Sequence, residues 1–349
     1  MDSVWKAFNE RFEPKEEYLG TDKEVNNSCP LVSVVVPTYR HEKFIDECIN
    51  SIISQKTNFS FEIIIGEDGS DDDTLAICKK YAEKHTNLIR LFIRDRNTSN
   101  YLEGNKTLFR FNNAWCRESA RGKYIAMCEG DDYWTDSLKL QKQADFLESN
   151  PDYTLCFHAA DVFLQKEHRI TKDTITKVPS ESTSISHLIV RGNYIHTPTV
   201  MHRRENVVSP PPEFFYSIVG DYFLNMLSAE KGLIKYLPET MAIYRIHSGG
   251  VWSTKAEKSR MIEWIKLLIA LLRYFSRQRN DKITKQIANK IKQQQKHFII
   301  NELKSSTGRI SYFYVDKTYN KNWSLKISRY RFLRSKLSYL FKKVKSIHS

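Results

Sequence analysis

The 349-residue chain carries only six cysteines, Cys29, Cys48, Cys78, Cys116, Cys128 and Cys156, and no two of them form a CxxC pair. Most lie inside apolar periodic segments, so they read as reduced core residues of a cytosolic protein. Long hydrophobic runs are missing too. The greasiest stretch, residues 261–275, is broken by Glu263, Lys266 and Arg273 and is too short to span a bilayer. The opening MDSVWKAFNERFEPKEE lacks the apolar core of an export signal. No GxGxxG follows the first strand-like run, which disfavours a dinucleotide oxidoreductase. A nucleotidyltransferase would usually show a glycine-rich basic loop where PTYRHE stands. Internal repeats and low-complexity segments are absent.

Charge is unevenly divided. Residues 251–349 hold 24 Lys and Arg against 5 Asp and Glu, a balance of +19, whereas the first 250 balance at −6, for a net +13. The last 29 residues contain nine basic side chains, no acid, and interleaved aromatics, as in RYRFLRSKLSYLFKKVK. Such a tail suits anionic lipid headgroups. Nucleic acid would attract the same charge by counterion release, and a solvated helix with one aromatic stripe is the plain alternative. Of the two polyanions, an anionic membrane is the expected partner, which would place a cytoplasmic protein at the inner face of the cell membrane.

What is present is an alternation of strands and helices. A hydrophobic content of 41% and a charged content of 27% are those of a globular protein, and the length exceeds what one core supports, so two parts are expected. LVSVVV (31–36) reads as a buried strand closed by Pro37. Phe44, Ile45, Cys48, Ile49, Ile52 and Ile53 recur at helical spacing. FEIIIG (61–66) is a second strand, and DDDTLAICKKYAEKH a helix with acids at its positive end. The rhythm continues with a strand at 88–94, a helix at 106–119 and a strand at 123–128. Later come strands at 153–163, 197–203 and 240–246, a polar loop at 171–186 and a helix at 220–231. From about residue 255 to 303 the pattern is basic and helical. The fold expected is α/β, with a mostly parallel sheet flanked by helices and a C-terminal helical extension. Its parts are a leader (1–30), a catalytic domain (31–250) and a basic helical region (251–349).

In such sheets ligands sit at the carboxyl ends of the strands. Three loops there are unusual: PTYRHE (37–42), GEDGSDDD (66–73) and EGDDYW (129–134). The third crowds Glu129, Asp131 and Asp132, which raise one another's pKa unless a cation neutralises them. Mg²⁺ or Mn²⁺ held there would keep positions open for phosphate oxygens. Taken alone, the loop is equally a turn whose acids cap a helix near Ser137. Asp68 can accept from a base or a ribose, while Ser70 or Asp71 caps the helix that follows. Trp134 either packs over a sugar or anchors its loop in the core.

VSVVVPTYRHEKFIDECINSIISQ, FEIIIGEDGSDDDT and ARGKYIAMCEGDDYW, in that order, resemble the family 2 glycosyltransferases, and the likeness covers about residues 31–250. The resemblance implies a nucleotide-diphospho-sugar-binding fold of the GT-A type, a divalent metal, and inversion at the anomeric carbon. It further implies that Pro37, Thr38 and Tyr39 line the nucleoside pocket, that Asp68 bonds the base, usually uracil, and that the family's Asp-x-Asp stretch falls on Glu129-Gly130-Asp131. Either Asp131 or Asp132 is then the main metal ligand. Asp221 matches the family's catalytic base, with a helix-terminal acid as its plain reading, and His247 matches a histidine able to approach metal or diphosphate. The Arg-Asn pair common in relatives is replaced by FNNAW, so no diphosphate-binding arginine is assigned. The expected partners are a UDP-sugar and a glycan or lipid-linked acceptor, in bacterial surface polysaccharide synthesis. A non-catalytic carbohydrate-binding protein on the same fold is the rival of a different class.

Overall fold

The computed structural model describes residues 2–12, 17–103, 106–173, 182–217, 219–250, 252, 254–304, 309–317 and 323–331. They fall in two compact units, Met1–Ala256 and Glu257–Ser349.

The first unit opens with α1 (Asp2–Glu10) and then lays down β1 (Val32–Thr38), α2 (Ile45–Ile53), β2 (Phe61–Glu67), α3 (Thr74–Lys84) and β3 (Ile89–Ile93). A one-turn α4 (Arg96–Ser99) leads into the hairpin β4 (Asn100–Glu103) and β5 (Lys106–Arg110), then α5 (Asn112–Glu118), β6 (Tyr124–Met127), β7 (Tyr133–Trp134) and α6 (Lys139–Ser149). The remainder is β8 (Tyr153–Leu164), β9 (Arg169–Lys172), β10 (Ser182–Thr183), α7 (Ile185–Arg191), β11 (Met201–Arg203), α8 (Gly220–Lys231) and β12 (Leu233–Ile246).

One sheet runs in the order β10-β12-β8-β11-β6-β1-β2-β3. Its core is parallel: β1 pairs with β2 and β6, and β2 with β3. β11 is antiparallel to both β6 and β8, while β8 and β12 are parallel. Strands β1 and β2 bury Val34, Val36, Ile63 and Ile65 on one face against Ile45, Cys48, Ile49 and Ile52 of α2. Burial on both faces is why these strands read as continuous β-branched runs. In register, Thr38 lies opposite Glu67 and Val35 opposite Met127. β1, β2 and β6 therefore end along one edge, and the loops that follow them face the same crevice.

Three expectations change. The helix expected over 106–119 begins only at Asn112, because residues 106–110 pair antiparallel with β4. Phe109 and Phe111 then bury at the two-residue spacing of an extended segment, in a cluster with Phe215 and Trp115. In the expected strand 197–203, Thr197–Thr199 is a 3-10 turn and only Met201–Arg203 joins the sheet, since Pro198 has no amide hydrogen to donate. That strand lies inside the sheet rather than at its edge. The expected loop 171–186 contains the end of β9, β10 and the start of α7, and its residues 174–181 lie outside those described.

The second unit contains α9 (Glu257–Arg277), α10 (Asp281–Lys304) and an antiparallel hairpin of β13 (Arg309–Lys317) and β14 (Trp323–Arg331). Among the described residues no helix is long and apolar enough to cross a membrane. Of the basic tail, Trp323–Arg331 forms β14, and residues 321–322 and 332–349 lie outside those described.

The leader is not merely polar. Helix α1 buries Val4, Ala7 and Phe8, and the Phe8 ring sits 4.9 Å from Phe215 and 5.6 Å from Phe111, while the Trp115 indole N–H donates to the Phe8 carbonyl at 3.1 Å. Phe8→Ala should lower unfolding free energy by about 3–5 kcal/mol, the cost of emptying an aromatic site. A urea melt checks this, and an unchanged midpoint would show that α1 is dispensable.

Candidate functional site

Each strand-end loop is held by polar contacts to its neighbours. Arg40, in a left-handed conformation at φ 55, pairs through Nε and Nη2 with the two oxygens of Asp71 at 2.5 and 2.6 Å, and its amide donates to Ser70 Oγ at 2.9 Å. Ser70 and Asp71 thus tie the loop after β2 to the loop after β1, and the amide of Thr74 at the start of α3 is met by Asp72 instead. Buried Glu67 accepts from the amides of Gly69 and Ser70 at 3.1 and 2.8 Å, which bends the chain beyond β2.

Within that bend Asp68 is 4% exposed. One of its oxygens accepts from Arg96 Nη1 at 2.8 Å and the other from the Ser99 hydroxyl. Burial pushes its carboxyl up, and the Ser99 hydrogen bond and the charge of Arg96 oppose the rise. The guanidinium of Arg96 lies 3.3 Å from the centre of the Tyr39 ring. Tyr39, Asp68 and Arg96 are therefore joined in one wall, with Thr38 buried behind it and half-buried Pro37 beside it. Asn112 of FNNAW is engaged within the protein, donating to the Gly66 carbonyl at 2.8 Å and accepting from Arg94 at 2.5 Å.

The acid loop gives its three carboxylates different surroundings, although one oxygen of each lies within 4.8 Å of the others. Asp131 Oδ2 lies 2.9 Å from His247 Nε2 and 3.9 Å from His41 Nε2, and the three ligand atoms all lie within 4.8 Å of one another. Burial works to raise the Asp131 carboxyl, but the His247 hydrogen bond and the charges of both imidazoles outweigh it and hold the group low. Asp132 turns inward at 1% exposure: Oδ1 accepts from the Arg245 amide at 2.8 Å, while Oδ2 is buried with no hydrogen-bond partner. Burial and the charge of Asp131 push Asp132 well up, and burial with the charges of Asp131 and Asp221 pushes Glu129 up to about 8. Three acids, an unpartnered carboxylate oxygen and two imidazole nitrogens form a donor set that fits a divalent cation. Trp134 faces the core, its N–H donating to the Pro198 carbonyl at 2.9 Å.

Asp221 stands in the first turn of α8, partly buried, with Oδ2 accepting from Asn193 Nδ2 at 2.7 Å. Burial raises its carboxyl. Its charge reaches Glu129, so the helix terminus lies within electrostatic range of the acid loop.

The model of one family, glycosyl transferase family 2, matches residues 33–206. An uncharacterized glycosyltransferase of Haemophilus influenzae is 31% identical over 229 residues, 63% of this chain and 67% of that one. The chain belongs to glycosyl transferase family 2. An uncharacterized protein of Mycobacterium bovis is 36% identical over 223 residues, 63% of this chain, and at that match the chain spans about 60% of the relative's length. In fold the chain resembles residues 1–349 of S. aureus TarS in complex with UDP-GlcNAc, with a TM-score of 0.54 and 19% identity over 74% of this chain and 72% of that one. That likeness shows the GT-A architecture.

Two groups at this site were not singled out from the sequence. His41 sits inside PTYRHE, where nothing local marks it as facing Asp131. Arg245 had a signal, because residues 245 and 247 share a face at a strand end. Its Nε donates to the Asp131 carbonyl at 2.8 Å, Nη1 to Gln165 at 2.9 Å and Nη2 to Glu47 at 2.5 Å, with the Phe44 ring 4.8 Å away. One guanidinium thus fastens the acid loop to α2 and to the end of β8. Arg245→Ala should destabilise the fold by about 2–4 kcal/mol, as loss of several charge-assisted hydrogen bonds requires. Chemical denaturation measures it, and a loss below about 0.5 kcal/mol would contradict the role.

Proposed function

We propose that the protein transfers a sugar from a nucleoside diphosphate donor, with uracil as the base, to a hydroxyl of a glycan or lipid-linked acceptor, inverting the anomeric carbon. The observation that supports this reading is the contact of Asp131 with His247 beyond β6, with the Asp68 wall beyond β2 on the same sheet edge and the charge of Asp221 reaching Glu129. Pro37, Thr38 and Tyr39 line the nucleoside side, and Asp68 accepts from the base once Arg96 yields or shares it. Asp131 and His247, with Asp132 behind them, would hold Mn²⁺ or Mg²⁺. When bound, that ion supplies Lewis-acid neutralisation of the departing diphosphate.

Asp221 then acts as general base. Asn193 and the backbone of Tyr222 orient its carboxylate, which would take the proton of the attacking hydroxyl. A base whose carboxyl burial has raised is a better proton acceptor, and such help contributes about 10²–10⁴-fold. A single displacement from the face opposite the diphosphate inverts configuration. Surface polysaccharide is the proposed destination of the sugar.

Paired variants test the two roles. Asp131→Ala should remove cation-dependent binding of UDP-sugars, and Asp221→Asn should retain that binding while turnover falls about 10²–10⁴-fold. Calorimetry and a transfer assay read these separately. Wild-type transfer by Asp221→Asn would reduce Asp221 to a helix-terminal acid.

We also propose peripheral attachment to the cytoplasmic face of the membrane through residues 251–349, whose +19 balance is the support. Each basic side chain near an anionic surface adds about 1 kcal/mol, weakened by salt. The full chain should sediment with vesicles containing phosphatidylserine at low salt and not with neutral ones. Equal sedimentation with both would rule out charge-driven docking.

A further inference from the structure

The acid loop faces more than the histidine that the sequence picks out. His41, four residues beyond Pro37, brings Nε2 to 3.9 Å from the same Asp131 oxygen that His247 meets at 2.9 Å. The two imidazole rings stand 6.2 Å apart and nearly perpendicular, and Phe44 packs 4.7 Å from the His247 ring and 6.3 Å from the His41 ring. This pocket is built. The Nδ1 of His41 lies 3.1 Å from Thr38 Oγ1, so an Nδ1–H donated to that hydroxyl leaves the Nε2 lone pair aimed outward, as a ligating imidazole requires. The amide of His41 donates to Thr74 Oγ1 at 2.8 Å and fixes the loop from below. Gly130 completes the fit: a Cβ there would stand 2.6 Å from Thr38 Oγ1 and 2.8 Å from His41 Nδ1, so only glycine lets the acid loop close over the pair.

We propose that His41 is a cation ligand beside Asp131 and His247, so that the site offers two imidazole nitrogens and selects nitrogen-accepting transition ions over Mg²⁺. The chemistry behind this is ligand preference. Carboxylate, carbonyl and water suit Mg²⁺, which accepts nitrogen donors poorly, whereas imidazole favours later first-row ions. A site of three carboxylates would not discriminate in this way. Thr38 becomes a positioning residue, because its hydroxyl holds the His41 ring in the ligating tautomer. The inference rests on the reading of Asp131 as the centre of a cation site and adds its third donor and its selectivity.

Co²⁺ serves as probe, since its visible absorption reports nitrogen coordination directly. Wild-type protein, His41→Gln and Asp131→Ala are each titrated with Co²⁺ and with Mg²⁺ by calorimetry, and the Co²⁺ spectra are recorded. His41→Gln keeps reach and polarity while offering an amide oxygen. It should lose about tenfold or more in Co²⁺ affinity, shift the Co²⁺ band and leave Mg²⁺ binding within about threefold. A melting curve confirms folding, and Thr38→Val, which removes only the partner of Nδ1, should weaken Co²⁺ in the same direction. If His41→Gln binds Co²⁺ with wild-type affinity and spectrum while Asp131→Ala loses the ion, His41 is not a ligand and the proposal falls alone. If Asp131→Ala also binds Co²⁺ as wild type does, the cation site itself is elsewhere and both readings fall.

Discussion

Carboxylates crowded at the end of a buried strand repel one another, and each loses hydration that no apolar neighbour replaces. In this protein Glu129, Asp131 and Asp132 fall within four consecutive positions just beyond β6. The molecule answers with three different environments rather than one. Asp132 is turned inward onto the Arg245 amide, Asp131 is turned onto two imidazoles, and Glu129 has its carboxyl pushed up by burial and by the charges of Asp131 and Asp221. That division gives the loop a stable backbone while leaving a charged oxygen at the crevice.

The surrounding structure depends on keeping this division in place. Arg245 bonds the acid loop by backbone and side chain together and reaches α2 and the end of β8, so four segments distant in sequence share one charge. On the other side of the crevice Arg96 and Ser99 restrain Asp68, and Arg40 ties the first loop to the second through Asp71. Asp68 and Asp71 are thus each backed by a cation from a neighbouring element, and Asp68 by a hydroxyl as well. Such backing lets a site be rigid before any ligand arrives, which is the condition for aligning donor and acceptor without reorganisation.

Much of this was legible in the residues themselves. β1, β2 and β6 announce their burial through runs of Val, Ile and Ala closed by loops of unusual polarity, and the resemblance places Asp68, Asp131, Asp221 and His247 in unit 1, where the structure has them. The hairpin of β4 and β5 was not legible, because Phe109 and Phe111 fit either a helix or an extended segment until the aromatic cluster with Trp115 and Phe215 decides. His41 and Arg245 were hidden for another reason. Their roles exist only through tertiary approach: the Arg245 amide meets Asp132 across 113 residues, and the His247 contact with Asp131 spans 116. Local pattern carries no trace of the approach of His41 to Asp131, and for Arg245 it offers only the face shared with His247. Asp132 shows the reverse case, since its residue type and place mark it for the cation while its geometry gives half of it to the backbone of β12.

The central claim is that this crevice binds a nucleoside diphosphate sugar with help from a divalent cation. Calorimetric titration of the wild-type chain with UDP-sugars, run with Mn²⁺ and again with a chelator, tests it most directly. The account predicts saturable one-to-one binding that strengthens at least tenfold when the ion is present, because an ion held by Asp131 would offset the charge of the diphosphate. Equal affinity under both conditions, or no binding of any nucleotide sugar, would contradict it.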